Sequence, residues 1–342
     1  MKTISKKTNL RDLGEAGIIR LIQEGQSSDL PPRIKRGIGD DCAVLETTGD
    51  RVLLVTTDTL IEGIHFTGQT LSPEALGWKA LAVNISDIAA MGGTPRTAFL
   101  SIGMKTDTEA SFIESFMSGF RLLAKKTDVM LAGGDTVESP VSTVITVTLL
   151  GDCRPEHVVY RSGAMVGDDL WVTGPLGNAA AGLFLLQNKR DDSPAGYESL
   201  VRAHQKPMPP IELGIALGES AMAHAMIDIS DGVAKDLGHI CEQSAVGAVV
   251  QGVSIPMSSN LIRLAAEADT SPLQWALHGG EDYELLFTAS PVDRKEIESL
   301  TVKVSSAPAT RIGTITGEDG IWLERGKGKE PFRPGGYVHF SR

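Results

Sequence analysis

The sequence predicts a two-domain α/β (α+β) protein, and three observations carry that expectation. At 342 residues the chain is long enough to bury two ordinary cores. Its first half alternates short strand-like runs with longer segments of helical period. The composition then changes after Gly151, where the polar connection DCRPEHVVYRSGAMVGDD leads to a new apolar run and a Gly-Pro-Leu-Gly turn. The chain is therefore expected to divide into residues 1–152 and 153–342.

The elements follow in order. Arg51 to Thr57 reads as a strand. Ser72 offers an N-cap, Pro73 a first helical residue and Glu74 an early acid, so a helix should run from here to Gly92-Gly93. Thr97 to Gly103 is a second strand. Thr106 and Glu109 have capping-box spacing for a helix that puts Ile113, Phe116, Phe120 and Leu123 on one face. Asp128 to Ala132 and Ser142 to Leu150 complete this unit by strand propensity. Beyond the connection come a strand at Leu170 to Thr173, a helix from Ile211 to His224, a strand at Met226 to Ile229 and a helix from Val233. Val246 to Gln251 and Tyr283 to Thr288 are strands, and the tail RGKGKEPFRPGG (325–336) reads as a loop from its Gly, Pro and charge content.

A hydrophobic fraction of 42% beside 22% charged residues is that of a soluble globular protein. The net charge of -11, with no long basic run, argues against a nucleic-acid partner, since phosphate backbones need Lys and Arg to neutralise them. No stretch reaches membrane-spanning length without a charge, and the N-terminus has no apolar leader core. Cys42, Cys153 and Cys241 are far apart, with no C-x-x-C pair, which points to a reducing cytoplasm.

The chemistry lies in the acids. Aspartates interrupt apolar or Gly-rich sequence in GIGDDCAV (37–44), VTTDTL (55–60), VNISDIAAMGG (83–93), LAGGDTV (131–137) and IDISDG (227–232). Carboxylates in such settings are costly unless something positive compensates them. Mg²⁺ is the economical compensator, because it prefers oxygen ligands and no Cys/His cluster is present to favour zinc. On the helix from Ser72, Leu76, Ala80 and Val83 form a stripe whose next position is Asp87. Each acid also has an ordinary structural reading. Asp58 would make an Asx turn after its strand, Asp135 a turn after Gly133-Gly134, and Asp231 an N-cap for the helix at Val233.

Neither a P-loop nor a Rossmann fingerprint is present, and H-E-x-x-H and G-x-S-x-G are missing too. Cys42, beside Asp40 and Asp41, reads as a small buried residue, since adjacent carboxylates raise a thiol pKa. His65 in IEGIHF lies a few residues past Asp58, which makes ligand contact plausible beside its ordinary structural reading, while the Gly-Gly-acid junction of GGEDYEL (279–285) reads as a turn before an apolar strand.

Taken in order, GIGDDCAV, TTDTL followed by GIHF, KALAVNISDIAAMG, GGDT, RSGA, IDISDG and GGEDYEL make the chain resemble the thiamine-monophosphate kinases. These belong to the aminoimidazole ribonucleotide synthetase-like ATP-binding superfamily, and the likeness runs over nearly the whole length. The resemblance implies the two-domain fold of that superfamily, a homodimer paired through the N-terminal domains into a barrel-like interface, and a C-terminal α/β domain. It implies metal ligation of several Mg²⁺ ions by Asp41, Asp58, Asp87, Asp135, Asp228 and Asp231, with Thr56 and Thr57 lending oxygen. Nucleotide contacts fall on Gly134, Asp135, Arg161 and Ser230, and thiamine-phosphate contacts on His65, Glu281 and Tyr337. No adenine contact is carried over at 124–127, where this chain has Lys125-Lys126.

The implied reaction is direct in-line transfer from ATP to thiamine monophosphate. An acceptor phosphate is already anionic near neutral pH, its second pKa being about 6, so no general base is required. Another ATP-dependent synthetase of the superfamily and a non-catalytic divalent-metal protein remain alternatives at this point.

Overall fold

The structure, a computed structural model, describes residues 9–24, 31–188, 196–305, 308–326, 328–333 and 335. After a first helix, α1 (Leu10–Glu24), come β1 (Ile34–Arg36), β2 (Ala43–Glu46), β3 (Val52–Ile61), α2 (Pro73–Ala90), β4 (Thr94–Met104), α3 (Ala110–Lys126), β5 (Met130–Glu138) and β6 (Val144–Cys153). The strands form one mixed sheet in the order β1-β2-β3-β6-β4-β5. Its strands alternate, so Leu54, Leu100, Ile102, Ile145, Val147 and Leu149 turn to one face and bury against α2 and α3. Thr57, Thr59, Phe99 and Ser101 turn to the other face and stay exposed.

The second half contains β7 (Asp169–Val172), α4 (Asn178–Gln187), α5 (Glu198–Gln205), α6 (Ile211–Ser220), β8 (Ala223–Asp228), α7 (Val233–Ser244), β9 (Gly247–Gln251), α8 (Ser259–Glu267), α9 (Pro272–His278), β10 (Leu285–Ala289), α10 (Arg294–Val304), β11 (Thr310–Thr316), β12 (Ile321–Arg325) and β13 (Gly328–Pro331). Its seven-stranded sheet runs β13-β12-β9-β11-β7-β10-β8. The central strands are buried on both faces. Leu286 of β10 joins the cluster beneath α7, while Leu285 and Phe287 join the one beneath α6 and α10. This is the two-domain α/β architecture the sequence predicts.

The helix α2 lies between the two sheets. It packs on α3 and on β3 and β6, and its other side meets α6 and β8. Ser72 caps it through its hydroxyl, which accepts from Ala75 N at 3.2 Å. The contact with α3 is backbone against backbone: a Cβ at Gly77 would lie 1.9 Å from the Phe116 carbonyl oxygen, and one at Gly119 would lie 1.8 Å from that of Glu74. Only glycine fits at either place.

Several elements differ from the sequence reading. The capping box does not form: a turn through Lys105–Thr108 delays α3, and Glu109 becomes the N-cap itself without a side-chain capping bond. The strand β3 continues to Ile61 because β6 pairs with it throughout, so Asp58 lies within a strand and not in a turn. Likewise β5 pairs with β4 through Glu138, which puts Gly133, Gly134 and Asp135 inside an edge strand. Helix α6 stops at Ser220, where Ala221 takes a left-handed conformation. The tail is not all loop, since β13 pairs antiparallel with β12, and its charged Lys329 and Glu330 suit a sheet edge. Helix α1, strands β1 and β2, and in the second half α4, α5, α8, α9, α10, β11 and β12 have no counterpart in the sequence reading.

Candidate active site

Four elements converge on one carboxylate cluster. Asp41 comes from the loop before β2, Asp58 from β3, Asp87 from the last turns of α2, and Asp228 from the end of β8. Oxygens of Asp41, Asp87 and Asp228 all lie within 4.8 Å of one another. From Ala75 to Ala90, Asp87 is the one residue not fully buried, because its side chain opens into a cavity. Thr56 donates its hydroxyl to Asp87 Oδ2, and Ser86 donates to Asp228 Oδ2 at 2.7 Å.

Arg161 supplies the positive charge at one side. Its guanidinium donates to Asp41 Oδ1, while its backbone N–H donates to Asp40 at 3.1 Å. Asp40 is taken up further by Arg36, whereas Asp41 Oδ2 is buried without a hydrogen-bond partner among the described residues. Asp41 is thus the member of the Asp40-Asp41 pair with an oxygen to offer. Burial works against the charge on Arg161, yet the adjacent Asp41 outweighs it and holds the guanidinium above its ordinary value.

Burial raises the acids, and their mutual repulsion adds to it. Asp41 is pushed up to about 6 and Asp228 to about 8, and Asp58 and Asp87 move the same way. One arginine does not neutralise four such groups. The donors are all oxygen, one buried oxygen is orphaned, and the cluster lacks positive charge, so it fits Mg²⁺.

Of the cluster, Asp58, Asp87 and Asp228 line a cavity of about 570 Å³. Ser230, Asp231, His65 and Glu281 also line it. Asp231 does not cap α7, whose N-cap is Gly232; its carboxylate instead pairs with Lys235 at 2.7 Å, and Lys235 reaches Glu15 of α1 at 3.2 Å. His65 Nδ1 accepts from Ile61 N at 3.0 Å. Apolar and aromatic side chains, Val83, Leu183, Phe184 and Trp275, complete the lining, with the last two rings 5.3 Å apart.

Three of the expected residues lie elsewhere. Thr57 turns its hydroxyl to the open face, 3.1 Å from that of Thr148, so the structure does not bring it to the cluster. Gly134 stands in register with Leu100, Val147 and Asp58, three strand spacings from the last, or about 14 Å. Asp135, its neighbour on this exposed edge, accepts at its carboxylate from Thr136 N at 2.9 Å. Tyr337 lies outside the described residues.

Sequence reasoning missed Phe184, Trp275, Lys79 and His204. The last two hold Glu281, with Lys79 Nζ 2.6 Å from Oε1 and His204 Nδ1 3.0 Å from Oε2. A lysine inside the apolar run LGWKALAV was the available signal.

Residues 39–153 match the family model described as AIR synthase related protein, N-terminal domain, and residues 165–324 match AIR synthase related protein, C-terminal domain. The thiamine-monophosphate kinase of Escherichia coli (strain K12) is 38% identical over 333 residues, covering 96% of this chain and 98% of that protein. The chain belongs to the thiamine-monophosphate kinase family. The thiamine-monophosphate kinase of Buchnera aphidicola subsp. Schizaphis graminum (strain Sg) is 39% identical over 309 residues, 89% of this chain and 92% of its own length. Among solved structures, AaThiL complexed with AMPPCP and TMP superposes with a TM-score of 0.86 at 32% identity, covering 98% of this chain and 100% of that one. Hydrogenase maturation protein HypE in complex with ATP, at 18% identity and a TM-score of 0.70, shares the fold alone with this thiamine-monophosphate kinase family member.

Proposed function

We propose that this protein phosphorylates thiamine monophosphate to thiamine diphosphate with ATP. The observation that carries the reading is the mixed lining of one cavity. Its carboxylates suit phosphates brought in with Mg²⁺, and its aromatic rings, Phe184 and Trp275, suit the cationic thiazolium and pyrimidine rings. An acceptor phosphate oxygen forms the new bond to the γ-phosphorus as the bond to the ADP oxygen breaks. With that oxygen already anionic, no side chain need take a proton.

Asp41, Asp58, Asp87, Asp228 and Asp231, with the Thr56 hydroxyl, would hold the metal. Bound Mg²⁺ screens the repulsion between two anionic substrates and stabilises the charge of the transferring group. Arg161, paired with Asp41, contributes a fixed guanidinium for phosphate, and Ser230 a residue of the cavity wall. His65 and Glu281, and Tyr337 beyond the described residues, are assigned to the thiamine moiety.

Gly134, Asp135 and Thr57 enter this reading through the open side of the six-stranded sheet, which we assign to a homodimer contact. Exposed Phe99, Leu131 and Val137 and the unpaired edge of β5 support that assignment. We assign residues 1–152 to a metal-binding, nucleotide-binding and dimerisation domain and 153–342 to the second domain, which adds Arg161, Asp228, Ser230 and Asp231 to the site. We also assign the protein to the cytoplasm: all three cysteines are buried free thiols, and no described helix is long and apolar enough to cross a membrane. A coupled assay of ADP release with Mg²⁺ and ATP tests the central claim. Thiamine monophosphate should be turned over and unphosphorylated thiamine left largely untouched; equal turnover of thiamine would sink the reading.

A further inference from the structure

The helix α2 carries two charged side chains in its buried length, Lys79 and Asp87. Asp87 belongs to the carboxylate cluster. Lys79 lies about 12 Å away along the helix axis and has no part in it. Its side chain is 1% exposed, as is that of His204 on α5, and both converge on Glu281. The Glu281 carboxylate is 28% exposed and faces the cavity. Three distant stretches of chain thus place ionisable groups together at one point of the cavity wall.

The backbone at Glu281 is itself constrained. Its φ is 67°, a left-handed conformation that a glutamate adopts only under compulsion, and its N–H donates to the Ser230 carbonyl at 2.8 Å. Segment 204–207 is also tied to α2 and the turn before it. Gln205 donates to the Thr70 carbonyl at 2.9 Å, Lys206 pairs with Glu74 at 2.6 Å, and Trp78 donates to the Pro207 carbonyl at 2.6 Å. The residues that follow His204 are therefore anchored to the helix that carries Lys79 and to the turn before it.

We infer that Lys79 and His204 are positioning residues for substrate specificity: they fix the Glu281 carboxylate in the cavity wall, so that its remaining lone pairs accept from N–H donors of the bound base. This rests on the thiamine-phosphate reading above. Because α2 also presents Asp87, one rigid helix sets the distance between recognition of the ring system and the carboxylate cluster where phosphate reacts. A carboxylate without these two partners would be free to rotate, and binding of the base would weaken while nucleotide binding would not.

The test is steady-state kinetics of the full chain with Mg²⁺. Lys79→Met should raise KM for thiamine monophosphate by about tenfold or more, with KM for ATP changed by less than about twofold. His204→Leu should act in the same direction. His204→Asn, whose amide can donate from nearly the place of Nδ1, should restore most of the loss. In a Glu281→Gln background Lys79→Met should add less than about twofold, since its partner is already gone. That double variant also leaves no unpaired carboxylate, so it keeps the comparison available if Lys79→Met alone folds poorly. A merely structural role predicts a lower melting temperature with both KM values unchanged, and that result overturns the inference. So does a Lys79→Met effect that persists in full in the Glu281→Gln background. A wild-type protein inactive on thiamine monophosphate would instead remove the underlying reading, and this inference with it.

Discussion

Asp87 concentrates the energetic problem of the site in one side chain. It lies among Asp41, Asp58 and Asp228, buried, with Thr56 donating to it. Asp87→Asn keeps the volume and the acceptor oxygen while removing a charge from a crowded group. Metal-free stability should therefore hold or rise by up to about 1 kcal/mol, while turnover falls on the order of 100-fold as phosphate charge loses its compensation. Melting curves across a Mg²⁺ titration should show the stabilisation by metal largely abolished; near-normal turnover would remove Asp87 from the site. Glu281 makes the opposite case. Burial alone would raise it, but Lys79 and His204 outweigh burial and hold it at about 2, against an ordinary 4.5. The folded state then binds fewer protons than the unfolded chain, so the stabilisation is full above about pH 4.5 and fades as pH falls toward about 2. The melting-temperature advantage of wild type over Glu281→Gln should shrink across that window, and a constant advantage would contradict the pairing. Acids in apolar runs made Asp41, Asp87 and Asp228 legible from sequence. Lys79 carries the same signal in the same helix, a charge inside an apolar run, but its partners Glu281 and His204 are distant in sequence and nothing local points to them. Thr57 was misplaced for a different reason: strand parity separates it from Thr56, but which parity faces α2 is known only once the sheet is packed.

At the scale of elements, what sequence shows well is the interior of a periodic segment, and what it shows poorly is where pairing partners extend it. Helix α2 was legible from cap to end, since Ser72, Pro73 and the Gly92-Gly93 stop are local signals. Strand β3 was cut short at Thr57 because Asp58 resembles a turn residue, whereas its pairing with β6 continues to Ile61. The edge strand β5 was hidden by its glycines in the same way, and that error concealed how far Asp135 stands from Asp58. The α2 and α3 contact is not legible either, because nothing local in the sequence marks Gly77 and Gly119 as the places where the two backbones touch. Either Gly77→Ala or Gly119→Ala would drive a methyl group into a carbonyl oxygen of the facing helix. Each should cost about 1–3 kcal/mol in urea denaturation, although alanine is the better helix former at an exposed position. Since α2 also carries Asp87 and Lys79, the same variants should lower turnover through displacement of the helix. A stability gain from either change would contradict the close approach.

The whole molecule is asymmetric in how it protects its sheets. The seven-stranded sheet buries its central strands on both faces, while the six-stranded sheet covers one face and leaves the other open. Its last strand, β5, is exposed at every residue, with Val137 54% and Met130 71% accessible, and Phe99 beside it on β4 is 40% accessible. An unpaired edge with apolar side chains invites association, and a second copy of the same surface would close it by two-fold symmetry. The register supports a functional consequence. Asp135 pairs with Ser101, Ser101 with Thr146 and Thr146 with Thr59, so Asp135 belongs to a row crossing this open side and not to the carboxylate cluster. Covering the sheet would give that row an enclosed environment. We predict that the protein sediments at twice the chain mass, and that Leu131→Lys combined with Val137→Lys, which adds like charges along the edge, yields a monomer. The monomer should keep its fold by circular dichroism, because both positions are exposed and outside the core. Its turnover should fall by about tenfold or more if Asp135 and Gly134 act on nucleotide within the covered face. A wild-type chain that sediments as a monomer at working concentration, yet is fully active, would refute the assignment of this face and leave the site to the carboxylate cluster alone.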